Sequence, residues 1–247
     1  MSRPFPITHD SIAMRGAGAV HIAQPAKGHR FTLDSILLAD FCRIRPGDRV
    51  LEPGAGTGVI SLLLAKRQPR AFFLAVDIRP ASCDLCDQNI ERNSLRNVTA
   101  ACHDIRSLPR SIEQGIFDVI VVNPPFVKKG TGKASPLAER NEARQANTAL
   151  GHWLATQKFL KQGGRYNIVF PAARLAELFS LMRVRKLEPK RIRLVHPYAG
   201  RPASLALIEA VKDGGNGLVV LPPLVVHDQG GGYSAEMKDI YGLPSDR

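Results

Sequence analysis

Strand-like and helix-like segments alternate regularly between residues 49 and 186, and this alternation constrains the fold more than any other feature. Such a pattern is typical of βαβ units, in which helices connect parallel strands. Two further strand-like runs, Arg191–His196 and Leu205–Val211, are joined by a short connection that favours an antiparallel hairpin. We therefore predict an α/β fold with a mainly parallel sheet, helices on both faces and a terminal antiparallel hairpin. The predicted strands before the hairpin are Arg49–Glu52, Phe72–Asp77, Val98–His103, Phe117–Val122 and Arg165–Phe170, and the predicted helices are Phe31–Phe41, Val59–Gln68, Pro80–Ser94, Asn141–Leu160 and Ala172–Lys186.

A glycine-rich segment, Glu-Pro-Gly-Ala-Gly-Thr-Gly, runs from Glu52 to Gly58 between the first predicted strand and the helix after it. Gly54, Gly56 and Gly58 permit a tight turn and let a ligand approach the backbone, while the start of the helix offers free N–H groups. The spacing differs from the G-x-G-x-x-G fingerprint of dinucleotide-binding folds. The segment is therefore a candidate ligand-binding loop, with a simple glycine-rich turn as the alternative.

Polar side chains also follow the next three strands along the chain. Asp77 ends the second strand, Asp104 follows the third and Asn123 follows the fourth. Because parallel strands present their carboxyl ends at one edge of the sheet, we expect these groups to lie there together with Glu52. Asp77 is placed to accept both hydroxyls of a ribose, and Asp104 to bind an adenine amino group. A single such carboxylate is more often a strand-end cap than a ligand.

The fourth strand leads directly into the sequence Asn123-Pro124-Pro125-Phe126. Proline cannot continue the hydrogen bonding of a strand, and it holds the residue before it in an extended conformation. This stiff exit can direct the Asn123 side-chain oxygen and the Pro124 carbonyl towards one point, with Phe126 as a flat wall beside them. Two acceptors and a stacking face suit a planar amine, whereas Asn-Pro taken alone also opens ordinary turns.

Together these motifs resemble the class I Rossmann-like methyltransferases over residues 30–212. The segment Glu52–Gly58 resembles their motif I, and Asn123–Phe126 resembles the N/D-P-P-Y/F motif of enzymes that methylate amino groups of bases or amides. With the segments Phe31–Ala39 and His227–Glu236, the pattern is similar to the bacterial group that N6-methylates the adenosine 3′ of the anticodon in valine tRNA. The resemblance implies a seven-stranded sheet, S-adenosyl-L-methionine as the donor and RNA as the acceptor.

The resemblance also implies roles for individual residues. The methyl group of this donor is already electrophilic, so the protein has to position an amine rather than create a strong nucleophile. The implied catalytic residues are Asn123, Pro124 and Phe126, and the implied cofactor-binding residues are Glu52, Gly54, Gly56, Gly58, Asp77, Asp104 and Asn123.

Positive charge dominates the chain, whose formal net charge is +12. Eleven basic residues lie between Lys158 and Arg201, against only two acidic residues in the same segment. Such a band is expected for a protein that binds a phosphate backbone, although the solvated face of a simply basic protein has the same composition. Four further residues after the Asn123 motif are candidate RNA contacts on a basic loop, for which an ordinary mobile loop is the alternative: Lys128, Lys129, Lys133 and Arg140.

Composition argues against several other classes of protein. No apolar run reaches the ~20 residues of a membrane span, and residues 1–6 lack the apolar region of a signal peptide. We therefore expect a cytoplasmic protein with no membrane partner. The four cysteines do not form a disulfide framework, and we assign Cys83 and Cys86 to helix packing rather than to a metal site, so no metal is predicted.

The chain is predicted to divide into three parts. Residues 1–30 form an N-terminal extension, mobile or loosely packed, with one strand-like run at Ala19–Gln24. Residues 31–212 form the methyltransferase domain, and residues 213–247 form a C-terminal tail that packs on the same domain.

Three other functions stay open at this point. An enzyme that methylates guanine N2 in ribosomal RNA would use the same grip on an amine. A methyltransferase of a glutamine amide in a release factor would usually carry Tyr at position 126, and the basic band disfavours a protein substrate. A non-catalytic RNA-binding module is disfavoured by the intact motifs at 52–58 and 123–126.

Overall fold

The computed structural model describes residues 6–26, 30–108, 112–125 and 150–244. A mixed β-sheet lies at its centre, and a separate two-stranded hairpin precedes it. The strands are β1 (Ile7–Met14), β2 (Gly18–Pro25), β3 (Arg49–Pro53), β4 (Phe72–Asp77), β5 (Val98–Cys102), β6 (Phe117–Val122), β7 (Leu160–Pro171), β8 (Leu187–Tyr198), β9 (Leu205–Lys212), β10 (Val219–Val220) and β11 (Leu224–His227). The α-helices with both ends described are α1 (Leu33–Phe41), α2 (Val59–Arg67), α3 (Pro80–Arg92), α4 (Leu175–Val184) and α5 (Ala235–Ile240).

The central sheet has the predicted arrangement. Its main strands lie in the order β5-β4-β3-β6-β7-β9-β8 within the described residues. Neighbouring strands in this order are parallel except at β9, which is antiparallel to both β7 and β8. The mainly parallel sheet and its terminal antiparallel hairpin are therefore confirmed. The short strands β10 and β11 pair in parallel with β8 and extend that edge, so the described sheet has nine strands rather than the seven that the resemblance implied.

Strand β6 shows why this sheet needs helices on both sides. Its residues from Val119 to Val122 are all completely buried, because successive side chains enter two different hydrophobic cores. Val119 and Val121 belong to the core that also contains residues of α1 and α2, whereas Ile120 and Val122 belong to the core that contains residues of α4. The continuous apolar run is thus the sequence signature of a strand covered on both faces.

The helix predicted over Asn141–Leu160 is confirmed only in part. Residues 141–149 lie outside the described residues, residues 150–155 are helical, and a 3-10 turn follows at Thr156–Phe159. The predicted end at Leu160 is wrong, because this residue already pairs with Phe117 of β6 and starts β7.

The N-terminal segment is better ordered than its composition indicated. Strands β1 and β2 form an antiparallel hairpin, whose Met14, Val20 and Ile22 are buried. Asn89 of α3 fixes β2, since its side chain accepts from Ala23 N at 2.6 Å and donates to Ala23 O at 2.9 Å. The expectation of a loosely packed extension is therefore wrong for residues 6–26.

The last described elements pack against the same core. Met237 and Ile240 of α5 are completely buried, and Glu236 accepts hydrogen bonds at 2.6 and 2.8 Å from Arg193 of β8. Their packing agrees with a tail that folds onto the main domain. The proposed boundaries at residues 30 and 212 stay predictions.

Candidate active site

A cavity of about 600 Å³ opens at the carboxyl ends of β3, β4 and β6, beside the first turn of α1. A volume of this size is typical of sites for small-molecule ligands and cofactors. The residues that the sequence analysis singled out and that line this cavity are Glu52, Gly54, Gly56, Asp77, Asp104, Asn123 and Pro124. Separate stretches of sequence thus meet at one edge of the sheet. Gly58 lies outside this lining.

The glycine-rich loop is held against the neighbouring strand. Gly54 N and Ala55 N donate to the Val76 carbonyl at 2.7 and 2.9 Å, and Gly54 has a φ of +72°. A Cβ atom on Gly54 would lie only 2.5 Å from Cη2 of Trp153. The absence of a side chain at position 54 therefore allows an indole to rest directly on the loop inside the cavity.

Gly58 lies at a contact between two helices, whereas Gly54 and Gly56 line the cavity. The φ of Gly58 is +84°, and a Cβ atom there would lie 2.5 Å from Sγ of Cys86. The glycine thus lets α3 pack closely against the start of α2. This contact explains Cys86 as a packing residue, as the sequence analysis expected.

Glu52, at the start of the glycine-rich loop, is bound to helix α2. Its side chain is buried, and one carboxylate oxygen accepts hydrogen bonds from both the backbone N–H and the hydroxyl of Ser61 in α2. Burial raises the pKa of Glu52 to about 7; the Ser61 hydrogen bonds oppose this rise, and the negative charge of Asp77 adds to it. Glu52 therefore links the end of β3 to the first turn of α2.

Asp77 accepts four hydrogen bonds at the end of β4. Gly56 N donates at 2.9 Å and Arg79 N at 3.0 Å, while the Arg79 guanidinium donates at 3.0 and 3.3 Å. Burial alone would raise the pKa of Asp77, but these bonds outweigh it and hold the pKa below its ordinary value. The two backbone donors fix the loop, whereas the bonds from the partly exposed Arg79 side chain can be exchanged for a ligand.

Asp104 is bound in a similar way by the residue two positions later. Arg106 donates from its backbone N at 2.9 Å and from its guanidinium at distances down to 2.5 Å. These hydrogen bonds lower the pKa of Asp104 to about 2. Both acids at the strand ends are therefore ionised at neutral pH and paired with an arginine at the mouth of the cavity.

Asn123 is held by a residue that the sequence analysis did not single out. Its Nδ2 donates to Oγ of Ser35, a buried residue in the first turn of α1, at 3.0 Å. With the nitrogen of the amide bound to Ser35, the oxygen is the accepting end of this side chain at the cavity. Trp153 was also missed, although it is the only tryptophan of the chain and could have drawn attention for that reason.

Five of the expected site residues fall outside the described residues: Phe126, Lys128, Lys129, Lys133 and Arg140. The basic band from Lys158 to Arg201 is described, and its charge is partly neutralised. Six of its eleven cations form ion pairs with acids among the described residues, four of them with acids that are distant in the sequence. These pairs are Lys161–Asp118, Arg165–Asp48, Arg174–Glu177, Arg183–Glu188, Arg191–Glu209 and Arg193–Glu236.

Across the described ranges, no cluster of three or more His, Cys, Asp or Glu residues could hold a metal ion. In that same part of the chain, none of the helices combines the length and the apolar character needed to cross a membrane.

Comparison with known families identifies the domain. A family model described as a methyltransferase domain matches residues 44–193, more than half of the chain. The chain belongs to this methyltransferase family. The matched range contains the whole glycine-rich loop, Asp77, Asp104 and Asn123.

Two curated relatives of this methyltransferase carry the same name, tRNA1(Val) (adenine(37)-N6)-methyltransferase. The protein from Dyadobacter fermentans is 30% identical over 140 residues, which cover 56% of this chain and 57% of the relative. The protein from Parabacteroides distasonis is 28% identical over 209 residues, or 84% of this chain and 81% of the relative. The alignment with the first relative therefore spans less than two thirds of that relative's length.

A solved structure from Agrobacterium tumefaciens, described as a predicted O-methyltransferase, has the same fold. It aligns with a TM-score of 0.69 at 18% identity and covers 87% of this chain and 99% of the other. At this identity the likeness concerns the fold, which agrees with the Rossmann-like methyltransferase architecture expected from the sequence.

Proposed function

We propose that the protein is an S-adenosyl-L-methionine-dependent methyltransferase that modifies the N6 amine of an adenine in RNA. The specific acceptor that we propose is an adenine next to the anticodon of a tRNA. The observation that carries this proposal is the Asn123 amide, bound to Ser35 in the same cavity as the glycine-rich loop and Asp77. The names of the two relatives support the choice of tRNA adenine as the acceptor.

The cavity fits the proposed cofactor in size and in donor set. Asp77 would accept the two ribose hydroxyls in place of the Arg79 side chain, and Asp104 would accept from the adenine amino group in place of Arg106. Gly56, where a Cβ atom would meet only the Arg79 side chain, at 3.9 Å, among the described residues, would let the ligand lie close to the backbone, and Gly54 would contribute by placing the Trp153 indole beside it. Gly58 and Glu52 would hold the loop against α3 and α2. The bound cofactor supplies an electrophilic methyl group.

The protein's own groups would then prepare the acceptor. An exocyclic adenine amine is a weak nucleophile because its lone pair is delocalised into the ring. The Asn123 side-chain oxygen and the Pro124 carbonyl would accept from its two N–H bonds, favour a pyramidal nitrogen and stabilise the positive charge that develops there. Stacking of Phe126 on the base would stabilise the bound adenine by about 1–3 kcal/mol. The methylated aminium is acidic and can lose its proton without a dedicated base.

The base has to leave its stack to reach Asn123, as in other enzymes that act on nucleobases. The net charge of +12 favours an RNA partner, and Lys128, Lys129, Lys133 and Arg140 follow Asn123 closely enough in sequence to contact the phosphates around the flipped base. We assign this activity to residues 31–212, with residues 213–247 as a tail on the same domain, and expect it in the cytoplasm.

The proposal is tested by methyl transfer from labelled S-adenosyl-L-methionine into total tRNA, ribosomal RNA and a release factor, with nucleoside mass spectrometry of the products. The expected product is N6-methyladenosine in tRNA. N2-methylguanosine in ribosomal RNA, or label only in protein, would retain the methyltransferase and overturn the acceptor. An absence of cofactor binding by calorimetry would overturn the enzymatic assignment itself.

A further inference from the structure

Helix α1 forms one wall of the cavity and is fixed at the end that points away from it. The carbonyl groups in the last turn of a helix lack partners within the helix, and that end carries partial negative charge. Here the Arg67 guanidinium of α2 donates to the Ala39 and Cys42 carbonyls at 2.8 and 2.6 Å, and Arg191 of β8 donates to the Phe41 carbonyl at 2.9 Å. Two arginines from distant elements thus hold the same helix end.

A third arginine adds to this anchorage from the N-terminal hairpin. Arg15, which follows β1, binds both carboxylate oxygens of Asp40 in α1 at 2.7 Å. Paired guanidinium–carboxylate bonds of this kind restrict orientation as well as distance. The anchored end of α1 is therefore bound by groups from the turn after β1, from α2 and from β8.

Ser35 lies at the opposite end of this fixed helix, at the cavity. The nine residues of α1 span about 13 Å, so the anchored last turn sets the place of the first turn as well. Ser35 is 5% exposed, and its hydroxyl oxygen lies 3.0 Å from Nδ2 of Asn123, which is 88 positions away in the sequence. The contact joins α1 to the carboxyl end of β6.

We infer that Ser35 is a positioning residue that holds the Asn123 amide with its oxygen facing the substrate amine. The role rests on the proposed function of Asn123. An amide has one accepting and one donating end, and only the accepting oxygen can bind an amine N–H. A hydroxyl that accepts from Nδ2 satisfies one of the two N–H donors at that end, and this hydrogen bond and the one from the substrate polarise each other.

The first test removes the hydroxyl. Ser35→Ala should lower kcat for RNA methylation by about tenfold, the effect of one lost neutral hydrogen bond, while KM for RNA and for S-adenosyl-L-methionine stays within about twofold. Ser35→Thr, which restores a hydroxyl at the same position, should recover part of kcat. A change in KM alone, or an unchanged kcat, would overturn the inference.

Ser82 offers a matched control in another helix. Both serines occupy the third residue of their helix, and the N–H of each donates to the carbonyl three residues earlier, at 3.1 Å for Ser35 and 2.9 Å for Ser82. Ser82 is outside the cavity lining. Ser82→Ala should therefore leave kcat unchanged, and an equal loss in both variants would show a general helix effect and overturn the inference.

A measurement without substrate separates this inference from the proposed function. In protein labelled with ¹⁵N-asparagine, the side-chain signals of Asn123 are identified by their loss in Asn123→Ala. The chemical shifts of these signals should change in Ser35→Ala and stay the same in Ser82→Ala. Unchanged shifts in Ser35→Ala would show that the contact is absent and would overturn the inference. Wild-type protein that showed the contact but methylated no RNA would instead overturn the proposed function, and with it the catalytic meaning of Ser35.

Discussion

Substitution of Gly58 tests how the glycine-rich loop is built, because it combines two separate destabilising effects, backbone strain and steric overlap. Gly58→Ala forces an alanine to a φ of +84°, which costs about 1–2 kcal/mol for a residue with a Cβ atom. The new Cβ also lies 2.5 Å from Sγ of the buried Cys86, an overlap that costs about 1–3 kcal/mol when a packed core cannot relax. We expect the free energy of unfolding in urea to fall by the sum, about 2–5 kcal/mol.

Gly47 separates the two costs. It has the same φ of +84°, and a Cβ atom there would meet nothing within 4 Å among the described residues. Gly47→Ala should therefore lose only the backbone part, about 1–2 kcal/mol. In the Gly58→Ala background, Cys86→Ala should recover part of the loss because it removes the sulfur from the overlap. Equal losses at positions 47 and 58, or no recovery from Cys86→Ala, would refute the packing explanation.

The other predictions concern the cavity. Asp77→Ala should weaken cofactor binding at least about 100-fold, since two hydrogen bonds to a charged group, each worth about 1.5–3 kcal/mol, are lost. Trp153 fluorescence can report the titration, with Asp118→Ala at the far end of β6 as the control, and equal affinities would refute the ribose contact. Asn123→Ala should lower turnover at least about 100-fold with cofactor affinity nearly unchanged, and normal turnover would refute its role. Burial raises the pKa of Glu52 to about 7, so this carboxyl group binds its proton more tightly in the folded than in the unfolded state. The stabilisation that protonated Glu52 gives to the fold is therefore fully present below about pH 4.5 and is lost as pH rises through about 7. Glu52→Gln should therefore gain stability relative to wild type between pH 4.5 and pH 8, by about 3 kcal/mol, in urea unfolding; a pH-independent difference would contradict this.

Much of the site was predictable because it depends on local pattern. The buried run Phe117–Val122 and the alternating helices define parallel strands, and parallel strands end at a common edge. The meeting of Glu52, Asp77, Asp104 and Asn123 follows from that geometry alone. The glycine-rich loop was also visible in the sequence, because a tight turn between a strand and a helix restricts the residue types it can contain.

The partners of these residues depended on the tertiary structure. The contact between Ser35 and Asn123, the sulfur of Cys86 behind Gly58 and the indole of Trp153 on Gly54 join segments whose spacing in sequence carries no periodic signal. The same holds for Arg191, which was counted as part of a basic band but is buried beneath α1 in an ion pair with Glu209. The sequence alone thus determined the order of the strands along the chain and the edge that carries the site. Only the packing of helices on the sheet decided which side chains meet there, because that packing depends on side-chain shape across the whole core.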